Sequence, residues 1–109
     1  MQVLKFNVNG QEITLDKSCT TTTLIPGTEG YVQVEFTFSS EWDGCAKVVA
    51  FYSNLGKEYE PRPLNYGKVC TIPTEALKNS IIKLQVLGQK AGYTIRTNKF
   101  TIHQKGGSV

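Results

Sequence analysis

The chain has 109 residues and a net charge of +3, enough length for one hydrophobic core and too little for two. Its 12 lysines and arginines are scattered rather than clustered, so charge gives no platform for nucleic acid. No run of about 18 apolar residues offers a membrane helix, and Met1 to Val8 lacks the basic head and long apolar stretch of a secretory signal. A soluble protein made in a cytoplasm is expected. Threonine, valine, isoleucine, tyrosine and phenylalanine outweigh alanine and leucine, which favours strands.

In chain order, Val3, Leu4, Phe6 and Val8 lead into Asn9-Gly10, a strong hairpin signal, and Gln11 to Leu15 returns as the second antiparallel strand. Asp16 to Gly30 differs. Its threonine run reads as an edge strand that Pro26-Gly27 ends, and Thr20, Thr21, Thr22, Thr23, Leu24 and Ile25 form a candidate arm for docking on a partner's sheet edge. From Tyr31 onward, Val32, Val34, Phe36 and Phe38 alternate with polar residues, the period of a sheet with one buried face. Ser39 to Gly44 turns the chain, with Trp42, the lone tryptophan, expected to fold back over the end of the core.

The second half repeats this rhythm. Ala46 to Tyr52 is a strand burying Val49 and Phe51, and Ser53 to Gly56 is a turn. Lys57 to Glu60 reads as a short polar strand stopped by Pro61 and Pro63. A turn at Leu64 to Gly67 leads into the strand Lys68 to Ile72. Pro73 to Lys78 is the single helical patch, with Thr74 as candidate N-cap. Ser80 to Gly88 is a long strand with Ile82, Leu84 and Val86 on one face. After a loop at Gln89 to Gly92, Tyr93 to Thr97 and Lys99 to His103 complete the sheets, and residues 105–109 read as a flexible tail.

This pattern predicts an all-β fold over residues 1–104: an immunoglobulin-like β-sandwich of about eight or nine short antiparallel strands with one short helical turn. A small closed barrel is the alternative, because periodicity is the same in both. The expected core is Val34, Phe36, Phe38, Trp42, Val49, Phe51, Ile82, Leu84 and Val86.

Chemistry-bearing motifs are sparse. Cys19, Cys45 and Cys70 are odd in number and widely spaced, which predicts free thiols, with Cys70 packed beside Ile72 and Cys45 more exposed. His103 is the single histidine and has no ligand partner at metal spacing. Asp16, Glu41, Asp43, Glu58, Glu60 and Glu75 form no pair at a predicted cleft. Glu41 and Asp43 flank Trp42 in a solvated turn, two acids where calcium wants about six or more oxygens. No phosphate loop, dinucleotide fingerprint or nucleophile elbow occurs. Catalytic, cofactor-binding and metal-binding residues are therefore all expected to be absent.

The succession Phe36-Thr37-Phe38, Glu41-Trp42-Asp43-Gly44, Lys47 to Tyr52, Ile72-Pro73-Thr74-Glu75-Ala76-Leu77, Gly88 and Ile95-Arg96-Thr97-Asn98 resembles the small immunoglobulin-like domains of tailed-bacteriophage virion proteins. The closest likeness is to capsid-decorating or head-fibre domains and the amino-terminal module of baseplate upper proteins. The resemblance spans Val32 to His103. It implies a structural protein of the virion, assembled in the host cytoplasm, whose partner is a capsid or other virion protein. Without the long following region of baseplate proteins, capsid decoration is the leading expectation and a baseplate or tail module the alternative. A carbohydrate-binding module for bacterial or mucus glycans is the other class. Tyr59, Tyr66 and Tyr93 are candidates for either surface, and self-association into a homo-oligomer is compatible with both. Neither nucleic acid nor membrane is expected as a partner.

Overall fold

The computed structural model describes residues 2–21 and 24–104. Among the described residues nine strands are present: β1 (Gln2–Asn9), β2 (Glu12–Leu15), β3 (Val32–Phe38), β4 (Ala46–Ser53), β5 (Arg62–Pro63), β6 (Val69–Thr71), β7 (Ile81–Lys90), β8 (Tyr93–Arg96) and β9 (Phe100–His103). A 3₁₀ turn at Ser40–Trp42 and a one-turn helix α1 (Thr74–Leu77) interrupt them. One sheet runs β2-β1-β3-β6. The other runs β5-β4-β7, with β8 and β9 sharing the far edge of β7. The fold is the expected all-β sandwich.

One pairing departs from an all-antiparallel immunoglobulin pattern. β1 and β3 are parallel, with Leu4 opposite Val34, Phe6 opposite Phe36 and Val8 opposite Phe38. The edge strand expected of the threonine run is absent at its described residues. β2 and β3 flank β1 on opposite sides, and β2 ends where β3 begins, at the same end of the sheet. Thr20 and Thr21 lie outside any strand, Thr21 is buried, and Thr22 and Thr23 fall outside the described residues.

Local corrections have similarly plain causes. Asn9 pairs with Glu12, so the first hairpin turns on Gly10-Gln11; only Gly10 has positive φ (60°), the sign pattern of a type II′ turn. Lys57 to Glu60 contributes a single bridge, Glu58 to Tyr52, and the short strand is instead Arg62–Pro63, an edge position that tolerates the missing proline N–H. Thr74 is the first helical residue; Pro73 holds the cap position, and no side chain caps the turn.

The two sheets stay separate but are stitched at both open sides. Between β8 and β9, the Thr97 hydroxyl accepts the Val86 N–H (3.0 Å) while the Thr97 N–H donates to the Val86 carbonyl (3.0 Å), filling a gap in the ladder. Asn98 then reaches the first sheet: its Oδ1 accepts the Ile13 N–H (3.0 Å) and its N–H donates to the Gln11 carbonyl (2.9 Å). On the opposite side Arg62 donates to the Thr71 hydroxyl (3.2 Å), joining β5 to β6.

Alternation places Val34, Phe36, Val49, Phe51, Ile82, Leu84 and Val86 in the buried layer with Trp42. Phe38 is only half-buried at its margin, its outer face covered by Lys47 Nζ at 5.2 Å. Leu4, Phe6, Ala76, Leu77 and Ile102 are buried with them.

Trp42 seals one end of this core. Its indole is fully buried and Nε1 donates to the Gly10 carbonyl (2.8 Å), tying the 3₁₀ turn to the first hairpin. Gly88 makes room for the ring: a Cβ there would lie 2.7 Å from Trp42 Cζ3. That same Cβ would meet Cys45 Cβ at 3.2 Å, and Cys45 is buried, against the expectation of exposure. The turn puts Cys45 beneath the indole rather than in solvent.

Candidate functional site

Among the described residues no group of three or more His, Cys, Asp or Glu side chains could hold a metal ion. His103 is exposed on β9. Cys19, Cys45 and Cys70 are free thiols. Burial pushes the Cys70 thiol up to about 11, with Arg62 opposing, so it is protonated and a poor nucleophile at neutral pH. Asp16 is held below the usual carboxylate range by the Ser18 N–H (2.9 Å), with the Ser18 hydroxyl (2.7 Å) adding to the effect, a turn built from its own neighbours. Glu41 and Asp43 are exposed beside Trp42, and the Glu41 carbonyl receives the Tyr93 hydroxyl (3.0 Å). None of the helical segments described is long and apolar enough to cross a membrane.

One group of outward-looking side chains lies at the end opposite Trp42, where β1 and β3 begin. Leu24 anchors the arm by burying its side chain, while Ile25 beside it is 62% exposed and Tyr31 50% exposed. With Gln2, Thr28 and Val32 they line a shallow cavity of about 220 Å³. Three distant pieces of chain converge beneath it on the Leu77 carbonyl, which accepts the Gly27 N–H (2.8 Å) and the Gln104 Nε2–H (3.0 Å). Gln104 also donates to the Asn79 carbonyl (2.6 Å).

Two buried side-chain oxygens among the described residues have no hydrogen-bond partner, Thr28 Oγ1 and Gln104 Oε1. Both belong to this end. Buried polar atoms are normally satisfied, and leaving one unpaired costs about 1–3 kcal/mol. Beyond α1, Ser53, Leu55, Tyr59, Asn79, Ser80 and Ile81 border a second cavity of about 370 Å³, and Leu55 is 96% exposed.

The expected arm is thus divided. Leu24 is a buried anchor, Ile25 an outward contact, Thr21 is buried and Thr20 exposed. The residues that sequence reasoning did not single out are Thr28, Tyr31, Leu55 and Gln104. Leu55 carried a signal, a large apolar residue inside the turn cluster Ser53 to Gly56. Thr28 and Gln104 carried none, since their common environment exists only after folding. Comparison with protein families, with curated proteins and with solved structures finds no match to this chain.

Proposed function

We propose that this chain is a non-enzymatic structural protein of a phage particle, docking on another virion protein through its arm end as a capsid-decorating surface protein. The observation that carries the docking surface is the gathering of exposed Ile25, Tyr31 and Leu55 with the unpaired oxygens of Thr28 and Gln104 at one end. Exposed apolar side chains gain from burial against a partner, at about 25 cal/mol per Å². The two oxygens are sealed from solvent, so the exposed side chains are what a partner meets. The virion assignment rests on the likeness of Val32 to His103 to phage domains. A repeating lattice suits a small face of this kind, since many copies multiply a modest affinity.

The test begins with mass spectrometry of purified particles, followed by rebinding of recombinant chain to stripped particles. Detection in particles, rebinding to heads, and loss of rebinding in Ile25→Glu support the proposal. Gold label on tails instead of heads moves the chain to the baseplate. Absence from particles together with no rebinding refutes a virion role.

A further inference from the structure

The far end of the sandwich presents a different surface. The turn joining β5 to β6 places Tyr66 at its tip with φ 55°, the single non-glycine residue of positive φ among those described. The Asn65 carbonyl accepts the Lys68 N–H (3.0 Å) and the Val69 N–H (3.1 Å), and Gly67 also has positive φ (69°), so both central residues are left-handed. Left-handed backbone suits glycine or asparagine and strains a bulky aromatic. Tyr66 recovers nothing by packing, being 96% exposed and without a hydrogen bond or ring contact. A costly residue that adds nothing to the fold points to a use outside it.

The other two candidate tyrosines, Tyr59 and Tyr93, differ. Tyr59 is half-buried, with its hydroxyl accepting from Asn79 (2.8 Å) and Lys57 over its ring. The Tyr93 hydroxyl is bound to the Glu41 carbonyl and Lys90 covers its ring at 4.8 Å. Tyr66 alone of the three leaves both ring and hydroxyl open. It overhangs a groove of about 430 Å³ with Phe38 in its lining and Glu35, Asp43, Lys47 and Lys68 around it. That volume lies in the range of small-molecule sites, about 300–1,000 Å³.

Charge selects the ligand class. Two lysines and two acids line one groove, so an anion meets Glu35 and Asp43 while a cation meets Lys47 and Lys68. A neutral ligand rich in hydroxyls meets both donors and acceptors, and one with a flat C–H face can stack on Tyr66. We infer that the Tyr66 groove is a binding site for neutral saccharides, separate from the docking face at the arm end.

The test displays the full chain multivalently, because a single shallow site binds weakly, on an array of neutral hexose and N-acetylhexosamine oligosaccharides beside sialylated and sulfated ones. Expected are binding to neutral glycans, a loss of ~10-fold in Tyr66→Ala and Tyr66→Gly, and retention in Tyr66→Phe. Tyr66→Gly relieves the backbone, so its thermal midpoint does not fall and lost binding cannot reflect unfolding. Ile25→Glu leaves glycan binding intact. Absence of neutral-glycan binding, binding confined to anionic glycans, unchanged binding in Tyr66→Gly, or loss in Ile25→Glu overturns the inference.

Discussion

At the Trp42 end of the sandwich a large ring is sealed, and hydrogen bonds tie the segments around it together: Nε1 to the Gly10 carbonyl, the Gly10 N–H to the Ser39 hydroxyl, Tyr93 to Glu41 and Lys90 to Asp43. At the arm end Ile25, Tyr31 and Leu55 face solvent, and Thr28 and Gln104 keep oxygens unpaired. Large apolar side chains thus have opposite uses within one small domain. Where they fill space between the sheets their removal costs stability, and where they face water we propose that it costs association. The difference separates residues that hold the fold from those available to a partner.

The sharpest way to break that contrast is Trp42→Ala, which empties a fully buried site and orphans the Gly10 carbonyl. It should cost about 3–5 kcal/mol in denaturant melts; a loss under about 1 kcal/mol would mean the ring does not hold its end closed. Gly88→Ala presses a methyl into the same ring from the other side, at 2.7 Å. An overpacking cost of about 3 kcal/mol is expected, since the indole is pinned by its hydrogen bond and cannot retreat. Pairing it with Trp42→Phe should recover part of the loss, and additivity instead would show that the two positions do not share the space.

Between the ends, Cys70 supplies a pH-dependent probe of the core. Its folded pKa is raised to about 11 from an ordinary 9.0, so above pH 9 the unfolded chain releases a proton that the folded chain keeps. Its contribution is complete below pH 9 and is lost as pH rises towards 11, on the order of 2 kcal/mol. Melts of wild type and Cys70→Ala at pH 8 and pH 11 should converge at the higher value. A constant gap would show that water reaches the thiol.

The smallest stability effects belong to the arm end. Ile25→Glu and Leu55→Ser should each shift stability by no more than about 0.5 kcal/mol, while rebinding to stripped particles is lost. A melt shift as large as that of Gly88→Ala would assign Ile25 to the core and remove the distinction between the ends.

What the sequence by itself determined was the face of each regular strand. Val34 and Phe36, Val49 and Phe51, and Ile82, Leu84 and Val86 are buried because side chains alternate across a strand, a rule needing no knowledge of the neighbour. The lone tryptophan after a strand was legible as a lid for a similar reason, since so large a ring rarely stays in water. The two hairpins β1–β2 and β7–β8 were legible from their turn residues, but pairings between strands distant in sequence were not: alternation is identical in parallel and antiparallel pairs, so the parallel β1–β3 pairing belongs to the tertiary structure. The same holds for Gly88, whose missing side chain has meaning only beneath Trp42, far away in sequence. At the candidate docking face, Ile25 was visible as part of an apolar break in a polar run. Gly27, Leu77 and Gln104 meet only because the arm, the α1 turn and the end of β9 converge at one place, and long-range convergence leaves no local period to read.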